Sequence, residues 1–191
     1  FSLSYFSGSY ELGIYSVALT LGTAWVFIGN ALSISFLSKI YSEKDEFLAK
    51  DKTSGLIDSV FTVLLVFPVF FVLFGKRIIF ILYGNDYLAA YHILVILCLS
   101  TIITSLGFIS NRYIVKLSGY NYLSKKTILI LLFSIPISIA MVYQWGLYGA
   151  AYSVLIIELL SLTIMNYFFR DGVVLKMHLG AFNLRNIKKL K

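Results

Sequence analysis

Long apolar runs without a single charge alternate along this chain with short charged segments, and the lengths of the runs set the architecture. Residues 12–38, 59–75, 87–111 and 127–157 hold no Lys, Arg, Asp or Glu. A helix crossing the hydrocarbon core of a bilayer takes about 20 mainly apolar residues, with a range of roughly 17 to 25. The fourth run is too long for one crossing. Gln144-Trp145-Gly146-Leu147-Tyr148-Gly149 marks where it divides, because a polar side chain, two interfacial aromatics and two glycines suit a tight turn at a membrane surface. The pattern predicts an all-α, polytopic transmembrane helix bundle. Its five spans fall at about 13–37, 57–75, 87–110, 127–144 and 147–169, in a membrane region 1–170 followed by a basic tail, 171–191.

Composition agrees. A content of 59 % hydrophobic residues is more than a soluble chain of 191 residues could bury, and the mean hydropathy is +0.87. Charge then supplies a direction. Fourteen of the sixteen Lys and Arg residues lie in segments 38–57 and 111–126 and from Arg170 through the tail; Lys76 and Arg77 are the other two. In short loops such a bias marks the cytoplasmic side, which puts the C-terminus inside and the start of the chain outside. The net charge of +7 follows from this arrangement and calls for anionic membrane lipid as its partner, not nucleic acid. Tyr10, Tyr15, Tyr83, Tyr87, Tyr91, Tyr143, Trp145 and Tyr148 fall at the outer boundary, while Tyr41, Tyr113, Tyr120 and Tyr122 fall near the inner one. These are interfacial belts.

Candidate chemistry is sparse. The lone Cys98 allows no internal disulfide and has no metal-ligand spacing around it, so it reads as a small buried residue. The chain has no P-loop, no dinucleotide turn, no zinc-type histidine spacing and no nucleophile–base pair. It reads as no enzyme, without catalytic, cofactor or metal residues. Any energy would come from a proton or sodium gradient, the membrane potential or the substrate's own gradient.

What remains lies inside or beside the spans. Ala18, Gly22, Gly29 and Ser33 recur at spacings of four, seven and four, a small-residue stripe suited to close helix approach. Asn30 lies beside it at mid-membrane, either bonded to a neighbouring helix or facing a polar cavity. Pro68 and Pro136 each remove an amide donor and crowd the preceding turn, which predicts bends and offers gating points. Lys76 and Arg77 head the segment 76–86, expected either as the emerging end of the second helix or as a short outer-surface segment. There they either snorkel to phosphates or attract an anionic substrate. Glu158 stands out at mid-span, where an unpaired carboxylate costs on the order of 3 kcal/mol. It is expected protonated or paired, either as a structural hydrogen bond or in substrate passage and ion coupling.

Phe1 is no initiator methionine, and the first six residues read as the outer end of a further helix, so a fragment of a longer protein is expected. Several local patterns then accumulate. Tyr5-Phe6-Ser7-Gly8 precedes Glu11-Leu12-Gly13-Ile14-Tyr15-Ser16-Val17-Ala18. Phe74-Gly75 and Tyr83-Gly84 lead through Tyr87-Leu88-Ala89-Ala90 into Ile93-Leu94. Gly119 stands ahead of the fourth span, and Gly146-Leu147-Tyr148-Gly149-Ala150-Ala151 opens the last helix towards Ser153 and Glu158. In this order the chain resembles the C-terminal half of the bacterial polysaccharide flippases of the Wzx (O-antigen transporter) family, within the multidrug/oligosaccharidyl-lipid/polysaccharide exporter superfamily.

The resemblance implies twelve helices in two six-helix lobes, of which this chain would supply the end of helix seven and helices eight to twelve. It implies movement of an undecaprenyl-pyrophosphate-linked oligosaccharide from the cytoplasmic to the periplasmic leaflet of the bacterial inner membrane, by alternating access. The partners implied are that lipid-linked sugar, the N-terminal lobe and the polysaccharide polymerase machinery. Glu158 and Asn30 become the intramembrane polar candidates, with Arg112 at the inner mouth and Lys76 and Arg77 at the outer. The predicted spans contain no cation for the pyrophosphate, so that role is expected of the other lobe or the mouth residues. The alternatives are a related multidrug or lipid-intermediate exporter, and a membrane scaffold without a path. An unbroken apolar interior around Glu158 would favour the scaffold.

Overall fold

A computed structural model describes residues 2–181, with side chains from residue 8 onward. All regular structure among them is helical. Four stretches are long and apolar enough to cross a membrane: Gly8–Ser42, Glu46–Tyr83, Ala90–Lys116 and Tyr120–Tyr167. Three of the four are interrupted, and the interruptions shape the bundle.

The first stretch comprises α1 (Ser2–Thr23) and α2 (Val26–Ser42), with a further non-helical residue at Gly8. The apolar pattern predicts a span over 13–37, and within it the helix breaks at 24–25, where Trp25 takes φ −100° and ψ 2°. No proline forces the break. Tertiary contacts support it instead: Trp25 stacks on Phe67 at 4.7 Å, and the Thr101 hydroxyl donates to the Gly22 carbonyl at 3.0 Å. A carbonyl at a helix break in a membrane must find a donor inside the protein, and the Thr101 hydroxyl offers its one proton there, shared with the Leu97 carbonyl at 2.9 Å.

The second stretch comprises α3 (Glu46–Leu64) and α4 (Val66–Tyr83). The Asp45 carboxylate caps α3 by accepting from the Phe47 and Leu48 amides at 2.8 and 3.4 Å. The break at Leu65 lies three residues before Pro68, which places the proline in the first turn of α4, where its missing N–H is least costly. Lys76, Arg77 and the following apolar residues continue α4 to Tyr83, so they form neither a separate surface segment nor a loop.

Helix α5 (Ala90–Lys116) is the hub, packing against α1, α2, α3, α4 and the next helix, α6. The small-residue stripe meets it: Ala18, Gly22, Gly29 and Ser33 are all buried. A β-carbon on Gly22 would come within 3.1 Å of Leu97, and one on Gly29 within 2.9 Å of Ser105. In lipid, association depends on such close packing rather than on expulsion of water.

Helix α6 (Tyr120–Leu162) runs past Pro136, and its one interior residue with non-helical dihedrals is Gly146, at φ 50° and ψ −126°. That conformation is open to glycine and costly to any residue with a β-carbon. The chain reverses there. Gly149 lies so close to Met141 that an added β-carbon would sit 1.9 Å from the Met141 carbonyl oxygen. A straight helix would hold residues eight apart at about 12 Å. Short helices α7 (Ile164–Tyr167) and α8 (Val173–Ala181) follow, with breaks at Thr163 and over 168–172.

The two ends of the bundle differ. At one, Tyr10 donates to the Asp86 carbonyl at 2.9 Å and Tyr91 to the Val72 carbonyl at 2.9 Å. At the other, Lys116 bonds the Glu43 carbonyl at 2.6 Å, and Lys52 pairs with the Glu43 carboxylate at 2.6 Å, holding that carboxyl below the usual range. Tyr41 reaches the Arg112 carbonyl there, and Tyr122 reaches the Met165 carbonyl. Helix α8 docks at this end through Val174, Met177 and Ala181, all inaccessible, while Ser54 on α3 donates to the Met177 carbonyl at 2.8 Å. The later tail basics, Arg185, Lys188, Lys189 and Lys191, lie outside the described residues.

Candidate functional site

Three helical stripes converge between α5 and the two arms of α6. On α5, Thr104, Gly107 or Phe108, and Asn111 share one face at helical spacing. On the first arm of α6, Lys126 and Ile130 do the same, and on the second arm Glu158 and Ser161. Together they line a polar cleft of about 410 Å³.

Lys126 is its centre. The side chain is only 4 % exposed, and its ammonium donates to Asn111 Oδ1 at 2.8 Å and to Asn166 Oδ1 at 2.7 Å. A buried charge is tolerated only when neighbouring groups replace its water, and two amide oxygens do so here. An ammonium has three protons, which leaves one beyond these two bonds. The Asn166 side chain is completely inaccessible, yet its Nδ2 has no partner among the described residues. The break at Thr163 and the restart of the chain as α7 put Asn166 in reach of Lys126, forty residues earlier. Tyr122, one turn before Lys126, fastens the same segment through the Met165 carbonyl.

Glu158 is half-buried across the cleft, beside the Thr104 hydroxyl, whose single proton is shared between it and the Ser100 carbonyl at 3.0 Å. Glu158 and Lys126 interact electrostatically but make no direct ion pair. A cleft that holds both charges apart has donors and an acceptor to offer a polar guest.

The other sequence candidates divide by position. Arg112 is exposed and stacks its guanidinium 4.7 Å over Phe108, a wall of the cleft, so it stands at the cleft's edge. Asn30 is half-buried on α2, outside the cleft, and makes no hydrogen bond among the described residues. Lys76 and Arg77 are exposed on α4 at the opposite end of the bundle. Lys76 lies 5.1 Å over the Tyr91 ring, beside a second hollow that includes Tyr91, His92, Tyr148 and Tyr152. Pro68 is buried in the first turn of α4, and Pro136 is exposed on the first arm of α6. Cys98 is buried against α1.

The expectation of spans without a cation bears on Lys126, whose side chain is buried although it stands at the margin of the fourth apolar run. Charge counting assigns Lys126 to a loop, whereas α6 begins at Tyr120 and carries Lys126 inward as its second turn. Asn111 and Asn166 were likewise overlooked. The register of Lys126 with Thr127 and Ile130 was a usable signal, but nothing local announces Asn166 as a partner.

Fold and site together define a multi-pass helix bundle with a buried lysine and a carboxylate in one polar cleft. No family model matches the sequence, no curated protein is detectably similar to it, and no solved structure matches the fold.

Proposed function

We propose that the chain belongs to an exporter that moves undecaprenyl-pyrophosphate-linked O-antigen or other polysaccharide repeat units across the bacterial inner membrane by alternating access. In this reading the chain supplies most of the second lobe of a twelve-helix transporter. It makes five crossings, with the reversal at Gly146 dividing the longest helix. The end bearing Lys116, Lys52 and α8 faces the cytoplasm, by the distribution of basic residues.

The observation that carries this reading is the cleft. A buried ammonium with one proton beyond its bonds to the described residues, opposite a carboxylate, favours a path over a scaffold, since charged residues at membrane depth mark substrate or ion paths. Lys126 is the cation for an anionic pyrophosphate, and Arg112 waits at the edge. Glu158 is the group through which a proton or sodium ion couples. A drug exporter of the same superfamily would use Glu158 for a cationic substrate and would not need Lys126.

The experiment is complementation of a flippase-deficient strain by the complete gene, with Lys126→Gln and Glu158→Gln at matched expression. Restored periplasmic appearance of the lipid-linked oligosaccharide by wild type, and its loss in Lys126→Gln, are expected. Restoration undiminished in Lys126→Gln would remove the pyrophosphate role. Failure of a well-folded wild type paired with its native sugar pathway would move the substrate to another class.

A further inference from the structure

Two bridges lie side by side at the inner end of the cleft. The Lys126 ammonium spans Asn111 on α5 and Asn166 on α7. The His178 imidazole on α8 spans the residues next to them: Ser110 Oγ lies 2.8 Å from Nε2, and the Tyr167 hydroxyl lies 3.2 Å from Nδ1. Both bridges therefore tie the same two chain segments. We propose that His178 is a positioning residue for the Lys126 site, fastening α8 so that the spacing of Asn111 and Asn166 is held.

The hydrogen bonds put a proton on Nε2. Ser110 gives its own proton to the Leu106 carbonyl at 3.0 Å, so its oxygen accepts from Nε2–H. In the neutral imidazole that burial favours, Tyr167 then donates to a bare Nδ1. Burial pushes His178 down from its ordinary value of 6.5 to about 4. No carboxylate offsets this. The charged groups on the packed elements are Glu46, Lys50, Asp51, Lys52 and Asp58 on α3, and Arg112 and Lys116 on α5. Arg170 and Asp171 precede α8, Lys176 is on α8 itself, and Lys126 lies beyond the asparagines. Burial is the cause of the shift.

A depressed value means that the docked form binds fewer protons than the undocked one. The fastening is complete above about pH 6.5 and is lost as pH falls towards 4. The inference rests on the exporter reading only for the use made of Lys126; the fastening itself is measured without transport.

The test uses the full chain in lipid nanodiscs. Hydrogen exchange of residues 173–181, corrected for intrinsic rates, is compared at pH 7 and pH 4 in wild type and in His178→Gln, which keeps a donor for Ser110 and cannot titrate. Protection in wild type should fall on the order of a hundredfold, and in His178→Gln it should not. Amine acylation at neutral pH then reads the cleft. Lys125 is exposed and adjacent, so the labelling ratio of Lys126 to Lys125 is internally controlled. The ratio should rise several-fold in His178→Leu and stay at the wild-type level in His178→Gln. Protection that is indifferent to pH, or a pH response that survives in His178→Gln, overturns the proposal. So does a Lys126 ratio that stays fixed while α8 loosens. None of these outcomes depends on whether the chain moves a lipid-linked sugar.

Discussion

Replacing Gly149 by alanine puts a β-carbon 1.9 Å from the Met141 carbonyl oxygen, 2.4 Å from its carbonyl carbon and 2.9 Å from the Val142 nitrogen. All three are backbone atoms, so no rotamer change relieves the clash. Reaching the 3.4 Å of ordinary contact requires one arm of α6 to retreat by about 1.5 Å along its line to the other. That displacement also separates Val142 from Ala150, which pack together beside Leu147 and Tyr15. Overpacking of this kind costs about 1–3 kcal/mol, and a clash with backbone belongs at the upper end. A loss of about 3 kcal/mol lowers the folded-to-unfolded ratio by roughly a hundredfold, and the apparent melting temperature by about 6–12 °C. Gly107→Ala is the matched control. An added β-carbon there meets nothing within 4 Å, and alanine in a helix interior gains up to about 1 kcal/mol over glycine. Thermal unfolding in detergent, followed by circular dichroism, should place Gly149→Ala well below wild type and Gly107→Ala at or above it. Equal melting of the two variants would refute the reversal at Gly146, and with it the proposed fifth crossing.

Other outcomes follow from the same geometry. Lys126→Leu removes the donor to two amide oxygens and should destabilise by about 1–3 kcal/mol in chemical unfolding; adding Asn166→Ala should recover part of the loss. Thr101→Val strands the Gly22 carbonyl at the break between α1 and α2 and should cost about 1 kcal/mol, with raised exchange confined to residues around 22–26. For pH, the His178 contribution is on the order of 3 kcal/mol above pH 6.5 and vanishes by about pH 4, so wild-type melting should drop over that window more than His178→Gln does.

The apolar runs made the helical class legible, because an uncharged stretch long enough to span has few other uses. Gly146 was legible too, since glycine between interfacial aromatics signals a turn from local chemistry alone. The breaks at 24–25 and at Thr163 were not. Neither is adjacent to a proline, and the first is supported by Thr101 and Phe67, far along the chain. Glu158 could be singled out because a carboxylate inside an apolar run is conspicuous. Lys126 could not, because a lysine at the margin of a run looks like part of the loop beside it. Its burial depends on how far α6 extends and on Asn166, and both are settled by tertiary packing rather than by local pattern.

The most direct test of the central claim is reconstitution of the proposed two-lobed exporter in proteoliposomes carrying pyrophosphate-linked oligosaccharide, with the rate at which the sugar becomes accessible on the opposite face as the readout. The account predicts clear acceleration over empty liposomes, and a loss of about tenfold to a hundredfold in Lys126→Gln, the worth of one charge-assisted contact. Flipping at the same rate with wild type, with Lys126→Gln and with no protein would contradict it.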